Sequence, residues 1–336
     1  MLNYSQIEKY DPSGMHKIYD RWPEIARGAY ESDLEPVDFH DIDHIVFSGM
    51  GGSGAIGDLF ESILSKSNIH VSLVKGYLLP KTVDKNTLVI ATSVSGNTSE
   101  TLTVLETAKN LDCKLIAFFS GGKMEEYCKK TQTDFRRIES IHSPRSSFVK
   151  FTYSILNILN HVLPIERKEI LESLIELETM KKQIASNNLS SSNPAIDLAK
   201  WISGIPLIYY PHGLQSTAIR FKQSLQENAK IHAMIEDIVE ASHNGIVSWE
   251  KPSIVQPILL QGHDDYIKTK ERWQIVKEYF TENNIDFKEI HSTSGNILTK
   301  IISLVYLFDY ASIYKAILSK TDPTPVSSIA YIKDKI

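Results

Sequence analysis

The sequence predicts an α/β protein made of two parallel-sheet subdomains. Two observations support this: the chain of 336 residues is long for a single hydrophobic core, and apolar, β-favouring runs alternate along it with helix-like segments. Such alternation gives a mostly parallel sheet covered by helices on both faces, with ligands bound beyond the carboxyl ends of the strands. A binding site is therefore expected in the turns that follow strands.

The first half of the chain shows the alternation clearly. Residues 1–40 form a lead-in that is predicted to contain one helix, Met15–Arg27. The strands that follow are predicted at Ile45–Ser48, His70–Val74, Thr87–Ser93, Lys114–Phe119 and Asp134–Ile138, and the helices at Ser53–Leu64, Asn97–Asn110 and Glu125–Thr131.

The second half begins with a predominantly helical region, Phe148–Ile202, whose polar stretch ASNNLSSSNP is predicted to connect the domains. Alternation then resumes, with strands predicted at Ile205–Tyr210, Ile254–Leu260 and Ile285–Ile290, and helices at Gln215–Lys230, Lys268–Phe280 and Ile297–Leu318. The stretches HIVFSGMGGSGAIGDLFESIL and PLIYYPHGLQSTAIRFKQSL both run strand, turn, helix, which indicates a duplicated unit. The predicted domains are a helical lead-in (1–40), a first α/β domain (41–150), a helical connection (151–200) and a second α/β domain (201–336).

Composition excludes several classes of partner. The formal net charge of -5 argues against a non-specific grip on nucleic acid or an anionic membrane, because both depend on clustered Lys and Arg. The two cysteines, Cys113 and Cys128, form no Cys-x-x-Cys pair and indicate a reducing compartment, the cytoplasm. The N-terminus lacks an apolar signal core, and we expect no membrane-spanning segment.

A glycine-rich turn follows the first predicted strand. Gly49, Gly51 and Gly54 match the G-x-G-x-x-G spacing of dinucleotide sites, but the acidic residue that such a site needs after the second strand is missing, and Lys75 is the only candidate for a 2′-phosphate. No G-K-[ST] follows, so a P-loop is excluded. The glycines serve either a tight turn alone or, with Ser53 at the helix start, a nest of amides for one phosphate.

A hydroxyl-rich turn, ATSVSGNTSET, follows the third predicted strand and contains no Lys or Arg. Ser93, Ser95 and Thr98, with Ser99 as a further candidate, lie where a strand ends and a helix begins, so their hydroxyls and the free helix amides can converge on one anion. The alternative is that Ser95 or Asn97 only caps the helix, with Glu100 completing a capping box.

Together, GMGGSG and SVSGNTSET resemble the sugar isomerase (SIS) domain, a flavodoxin-like α/β unit whose Ser/Thr loop holds the phosphate of a phosphosugar. The stretches QENAK, EASHN and DPTPVSSIAYIKDKI further resemble the bifunctional phosphoglucose/phosphomannose isomerases. The resemblance implies two SIS-type parallel-sheet α/β subdomains. It also implies a phosphate-binding set, which comprises Gly51, Gly52, Ser53, Ser93, Ser95 and Thr98.

The same resemblance implies an aldose-ketose isomerase that interconverts glucose 6-phosphate and mannose 6-phosphate with fructose 6-phosphate through a cis-enediol. It assigns the base to Glu227, ring opening to His243 from the neighbouring subunit of a homodimer, and stabilisation of the enediolate to Arg145. Lys333, with Lys335 as the competing choice, would assist ring opening or contact the substrate.

Two further positions matter to this expectation. A small residue near the C-terminus, for which Thr324 is the candidate, would leave room for rotation about the C2–C3 bond. The chain departs from the family at Gly245, where relatives usually carry an acidic residue after the His-Asn pair.

The residues alone support these roles less strongly. Glu227 would otherwise be a surface helix residue, and His243 is one of 11 histidines. Arg145 precedes a predicted helix, where the helix dipole disfavours a cation, and this hints at a function. Neither H-E-x-x-H nor a Cys-His cluster occurs, and GHDD (262–265) is interpreted as a loop after a strand, so we expect neither metal nor cofactor.

Two alternatives remain open. A phosphosugar-sensing protein would keep the phosphate site without catalysis, although sensors that act on DNA usually add a helix-turn-helix domain and residues 1–40 are rich in acidic residues. An isomerase or deaminase of another amino-sugar phosphate would use a similar site. The expected partner in every case is a small phosphosugar.

Overall fold

The computed structural model describes residues 2–335. Nine strands are present in this part of the chain. They are β1 (His44–Ser48), β2 (His70–Val74), β3 (Thr87–Ser93), β4 (Lys114–Phe119), β5 (Asp134–Arg137), β6 (Ile205–Tyr210), β7 (Met234–Asp237), β8 (Val255–Gln261) and β9 (Lys288–His291). They form a five-stranded sheet in the order β2-β1-β3-β4-β5 and a four-stranded sheet in the order β7-β6-β8-β9.

Helices connect the strands. They are α1 (Tyr4–Tyr10), α2 (Met15–Tyr19), α3 (Trp22–Tyr30), α4 (Gly51–Leu64), α5 (Ser99–Lys109), α6 (Lys123–Thr131), α7 (Phe148–Ile158), α8 (Arg167–Ile184), α9 (Pro194–Trp201), α10 (Gln215–Ser224), α11 (Ile238–Ala241), α12 (Ile267–Glu282), α13 (Ile297–Leu318) and α14 (Ser327–Lys333). A π-helix, Leu225–Ala229, continues α10, and a 3₁₀ helix, Gly245–Glu250, follows α11. Every strand pairing is parallel, which confirms the predicted fold class.

The chain forms two compact units. The five-stranded unit comprises Arg21–Arg167 and the segment from Ser328 onward, and the four-stranded unit comprises the residues up to Asp20 and Lys168–Ser327. Each unit is thus assembled from separate stretches of chain, whereas the domains predicted from the sequence are contiguous ranges; those ranges stay a prediction.

The five-stranded unit places β1 and β3 side by side at the centre of its sheet. Ser48 is the register partner of Ala91, so the turns that follow these strands emerge at the same edge. All seven residues of β3 are buried, as expected of a central parallel strand covered on both faces. Consequently α4 and α5, which begin just after these turns, both start at the carboxyl edge.

The four-stranded unit is built around α13. This helix has 22 residues and a mean hydropathy of 1.5 over its most apolar window, so by length and composition it could cross a membrane, contrary to the sequence expectation of no such stretch. However, 89% of that window is buried inside the protein, as in a core helix. The rings of Phe221 on α10 and Phe308 on α13 stack with centroids 4.2 Å apart.

One predicted helix, Met15–Arg27, is wrong. The structure has two helices there, and the chain breaks between them at Asp20 and Arg21. The Asp20 carboxylate accepts hydrogen bonds from the main-chain N–H and the hydroxyl of Ser186, which fixes the break. Pro23 then lies in the first turn of α3, where its missing N–H leaves no helical bond unmade.

The polar stretch 185–194 does not connect the two units, because it lies within the four-stranded unit. Asn193 is fully buried, and its side chain caps α9 by accepting hydrogen bonds from Ala195 and Ile196. The asparagine at this position is thus explained by the preference of helix N-caps for Asn, Asp, Ser and Thr. The edge strand β7 and the π-helix were not predicted at all.

Candidate active site

The hydroxyl groups predicted to bind phosphate come together in the five-stranded unit. The main-chain N–H of Val94 donates a 3.1 Å hydrogen bond to Ser53 Oγ, so the turn after β1 meets the turn after β3. Ser93 Oγ lies 2.9 Å from Thr98 Oγ1 and accepts a 3.1 Å hydrogen bond from the N–H of Gly96. Ser95 is exposed and accepts a 3.3 Å hydrogen bond from the N–H of Asn97. We call this set, with Gly51 and Gly52, the hydroxyl cradle.

A second loop holds the cradle in place. Gly96 has φ +67°, and a Cβ there would come within 1.7 Å of the carbonyl oxygen of Gly121, which follows β4. The two turns are joined by hydrogen bonds from the N–H of Met124 to the Gly96 carbonyl (2.9 Å) and from the N–H of Lys123 to Asn97 Oδ1 (3.0 Å). Only glycine permits this approach, so the conformation of the turn after β3 is fixed by its neighbour.

Both helices that begin at the cradle lack a side-chain cap. Met50 is the N-cap of α4 and Thr98 the N-cap of α5, and neither side chain accepts a hydrogen bond from the helix. The capping alternative is therefore wrong: Asn97 lies before the N-cap and Glu100 bonds with Ser99. Two uncapped N-termini at one edge present N–H groups and positive partial charge, which suits an anion.

Lys75 does not support a dinucleotide site. Its ammonium forms an ion pair with the buried carboxylate of Asp58 on α4. Burial raises the pKa of Asp58, and Lys75 opposes this shift by favouring the charged form. Because Lys75 already neutralises a buried charge, it is not free for a 2′-phosphate.

Arg145 lies beside the start of α4, in the same unit as the cradle. A Cβ on Gly52 would be 3.1 Å from the carbonyl oxygen of Pro144 and 3.3 Å from Arg145 Cα, so this glycine allows the two backbones to touch. The Arg145 residue is 3% exposed. The hydroxyl of Ser146 donates to the carbonyl of Ile141 at 2.7 Å, which folds the segment into a fixed turn.

Glu227 lies in the π-helix of the four-stranded unit and is half-buried. The π-helix ends at Lys230, which has φ +57° and whose ammonium donates hydrogen bonds to the carbonyls of Glu227 and, at 3.2 Å, Pro323. π-helices are rare and occur frequently at functional sites. This conformation distinguishes Glu227 from the surface helix residue that its sequence context suggested.

His243 is exposed in the turn between α11 and the 3₁₀ helix. The next residue, Asn244, caps that helix by accepting from the N–H of Gly245 at 2.6 Å, and its amide donates to Glu240 at 2.6 Å. A Cβ on Gly245 would collide with the carboxylate of Glu236 on β7. A carboxylate therefore does lie at this position, but it comes from Glu236 rather than from residue 245.

Lys333 is exposed in the last turn of α14, a helix with no buried residue. The competing Lys335 has its ammonium 4.9 Å from the centroid of the Tyr331 ring, a cation–π distance. Thr324 is half-buried, and its N–H donates to Asp322 Oδ1 at 2.8 Å. Among residues 2–335, no group of three or more His, Cys, Asp or Glu side chains is arranged for a metal ion.

The predicted residues thus fall into two sets. The cradle and Arg145 adjoin one another in the five-stranded unit, while Glu227 and His243 belong to the four-stranded unit. Sequence reasoning missed Glu236, whose approach to Gly245 no local pattern reveals. It also missed the serines around Arg145, although their density in HSPRSSF was a usable signal.

The fold is shared with solved structures. The C-terminal domain of glucosamine-fructose-6-phosphate aminotransferase from Francisella tularensis superposes with a TM-score of 0.68 at 15% sequence identity, covering 92% of this chain and 96% of that one. At this identity the likeness concerns the arrangement of strands and helices.

Fold and cradle define a SIS-domain protein. The SIS domain model matches residues 38–160, and the model described as the bacterial phospho-glucose isomerase C-terminal SIS domain matches residues 191–336. The bifunctional phosphoglucose/phosphomannose isomerase of Caldicellulosiruptor bescii is 33% identical over 332 residues, covering 94% of this chain and 96% of the relative. That of Aquifex aeolicus is 29% identical, covering 94% of each chain. The chain belongs to the bifunctional phosphoglucose/phosphomannose isomerase family.

Proposed function

We propose that the protein interconverts glucose 6-phosphate and mannose 6-phosphate with fructose 6-phosphate through a cis-enediol. The observation that carries the proposal is the hydroxyl cradle, where Ser53, Ser93 and Thr98 adjoin two uncapped helix starts. It offers a phosphate neutral donors and helix dipoles, as a phosphosugar site requires. Membership of the isomerase family supports the same reaction.

The reaction begins with the ring. In the proposal, His243 moves a proton between the ring oxygen and the C1 hydroxyl, so that the C1–O5 bond breaks and an aldehyde forms at C1, while Lys333 assists ring opening or contacts the substrate. Imidazole suits this step because it exchanges protons near neutral pH.

Glu227 then acts as the base. Its carboxylate removes the proton from C2, the electron pair forms the C1–C2 double bond, and the C1 carbonyl oxygen takes up the negative charge, which gives the cis-enediol as its enediolate anion. The O2 proton then passes to O1, and the same carboxyl returns its proton to C1 as the C2 carbonyl forms, which gives fructose 6-phosphate. Arg145 would stabilise the negative charge on the enediolate oxygens, since its guanidinium stays charged and offers planar donors.

A single enediol accounts for both substrates. Glucose 6-phosphate and mannose 6-phosphate differ only at C2, which is planar in the intermediate. If Thr324 leaves room for rotation about the C2–C3 bond, one base can serve both epimers. A bulky Thr324→Leu substitution is expected to reduce turnover of the two epimers unequally.

We also propose that the active protein is a cytoplasmic homodimer in which His243 serves the partner's site. The test is to mix two inactive variants, E227Q and H243A, under conditions that exchange subunits. If His243 acts across the interface, half of the subunit pairings contain one intact site, so activity should return to roughly a quarter of the wild-type value for a two-fold symmetric dimer. No recovery in exchanged dimers, or activity in a monomer, would rule out the shared site.

The reaction itself is tested by a coupled fructose 6-phosphate assay on metal-stripped protein with each hexose 6-phosphate. Glu227→Gln is expected to lower kcat by about 10²–10⁴-fold, as loss of a general base does. Glu250→Gln, at an exposed glutamate of the same unit, is the matched control and should retain full activity.

Other outcomes of this assay would reject the proposed reaction or part of it. Turnover of glucose 6-phosphate alone would reject the dual specificity. Binding of both sugars without turnover would indicate a phosphosugar sensor, and release of ammonia from glucosamine 6-phosphate would indicate an amino-sugar deaminase.

A further inference from the structure

The helix that carries Glu227 changes type just before this residue. From Gln215 to Ser224 it is an α-helix, and from Leu225 to Ala229 it is a π-helix. A π-turn contains one residue more than an α-turn and has poorer hydrogen-bond geometry, so it persists only where the surrounding structure holds it. The direction in which Glu227 projects therefore depends on what fixes this turn.

A row of buried polar contacts joins this helix to α13. Arg220 Nη2 donates to Asp309 Oδ2 at 2.6 Å and Arg220 Nε donates to Oδ1 at 3.1 Å, while the hydroxyl of Ser224 donates to the same carboxylate. One turn further on, the Asn228 amide donates to Ser312 Oγ at 2.8 Å. We call these five residues the α10–α13 ladder; each is at most 2% exposed.

The ladder spans the point where the helix changes type. Arg220 and Ser224 hold the last α-turn, and Asn228 holds the π-turn itself. Since Asn228 is pinned to α13 and follows Glu227 directly, the orientation of the π-turn cannot change without breaking a buried hydrogen bond.

Arg220 carries a buried charge in this ladder. Burial lowers the pKa of Arg220, but the carboxylate of Asp309, with smaller effects of Tyr19 and Glu227, outweighs burial and raises the pKa above its usual value. The guanidinium is thus a permanent buried cation, bound by two donors to the Asp309 carboxylate.

Such a pair is a poor source of stability. Replacing a buried ion pair with apolar residues of similar volume is often neutral or stabilising, whereas a polar pair can specify one geometry. The neighbouring contact of Phe221 with Phe308 already packs α10 on α13 without any charge.

We propose that Arg220 and Asp309 are positioning residues for Glu227, which hold the π-turn so that the base is presented to the C2 proton. This inference rests on the proposed function, in which Glu227 is the base. It predicts that removing the pair misplaces the Glu227 carboxylate relative to the C2 proton.

The test replaces the pair as a unit, in the variant R220M/D309L, because removing one partner alone leaves an uncompensated buried charge, which strongly destabilises the fold by itself. We expect thermal unfolding to stay near that of the wild type, KM to change less than about twofold and kcat to fall about 10²-fold, as for a catalytic group displaced by 1 Å.

A measured ratio that does not depend on the amount of folded enzyme separates misplacement of Glu227 from loss of folded protein. Fructose 6-phosphate is turned over in D₂O, and deuterium incorporated per turnover is measured together with the initial ratio of mannose to glucose 6-phosphate. Both quantities are independent of how much enzyme is folded. We expect R220M/D309L to change both, because a displaced base exchanges its proton with solvent and approaches the two faces of the enediol differently.

Thr217→Val is the matched control on the same helix. Thr217 is buried, and among the described residues its hydroxyl has no hydrogen-bond partner, so its loss should alter neither ratio. A folded R220M/D309L variant with wild-type ratios and kcat would overturn the inference. If the wild type itself turned over neither sugar, the proposed function would fail instead, so the two failures are distinguishable.

Discussion

The Ser53 hydroxyl accepts a hydrogen bond from the main-chain N–H of Val94, and this contact turns two motifs 41 positions apart into one site. The glycine-rich turn after β1 and the hydroxyl-rich turn after β3 are adjacent because β1 and β3 are neighbours in the sheet. Each turn by itself had a structural explanation. Their junction, at two uncapped helix starts, is better explained by an anion.

Ser93→Ala tests the cradle directly. We expect KM for both hexose 6-phosphates to rise about 10–100-fold, the equivalent of one hydrogen bond to a charged group, with kcat little changed because the phosphate is held equally in ground and transition states. Thr107→Ala, at an exposed hydroxyl further along α5, is the control. Equal effects of the two substitutions on KM would contradict the assignment.

Gly96→Ala tests the close approach of the turns after β3 and β4. We expect it to lower the free energy of unfolding by at least about 2 kcal/mol, since alanine is strained at φ +67° and its methyl group would overlap the Gly121 carbonyl. Gly76→Ala is the control, because a Cβ there has no atom within 4 Å, and it should change stability by less than about 1 kcal/mol. Urea unfolding of both variants measures the difference.

Gly245→Ala tests the contact with Glu236. The methyl group would displace the carboxylate, which is the flexible end of its side chain, so we expect a loss of about 1 kcal/mol. Glu236→Ala should remove this loss when the two changes are combined. A double-mutant cycle measured by urea unfolding reports the coupling, and additive effects would show that the two positions do not interact.

Asp11→Asn tests a buried carboxylate at the start of the chain. Asp11 accepts hydrogen bonds from the N–H groups of Met15 (2.9 Å) and His16 (2.8 Å), and it lies 2.6 Å from His16 Nδ1. Burial raises the pKa of Asp11, but these bonds outweigh burial, so its pKa lies below the ordinary value. We expect the substitution to lower the free energy of unfolding by about 1–3 kcal/mol at pH 7.

The sign of its pH dependence follows from that pKa. The folded state binds its proton less readily than the unfolded state, so the contribution of Asp11 is complete above the unfolded-state pKa of about 4 and is lost as pH falls through the folded-state value. The difference between wild type and Asp11→Asn should therefore shrink in acid. Asp38→Asn, at an exposed carboxylate 3.2 Å from His40, is the control and should show little effect at any pH.

Much of the fold could be predicted from the sequence because its elements have strong local patterns. The bounds of β2, β3, β4, β6 and α13 agree with the prediction residue for residue. The short strand β7 escaped prediction because its residues, MIED, lack apolar alternation and the strand pairs on one side only. The break at Asp20 escaped because its cause, the contact with Ser186, is distant in sequence.

In the candidate site, too, features with a local sequence pattern were predicted and features that depend on distant contacts were not. The cradle was predictable, since glycines and hydroxyls mark the turns where they act. The predicted role of Glu227 as the base rests on family resemblance, because a π-turn has no propensity signature that separates it from an α-turn. Arg220 and Asp309 are 89 positions apart, so nothing local could reveal their pairing.

The discontinuous make-up of the units bears on how the chain folds as it leaves the ribosome. The helices α1 and α2 precede the other described elements in the chain, yet they belong to the four-stranded unit, and the hydroxyl of Tyr310 donates a hydrogen bond to the carbonyl of His16. Ile7, Met15 and Tyr19 are fully buried in the folded protein. We expect them to reach these buried positions only after α13 has been synthesised. Residues 21–167 contain all five strands of the other sheet, so this sheet can form before α13 is synthesised. We therefore expect the strands of the five-stranded unit to pair before the apolar side chains of α1 and α2 are buried.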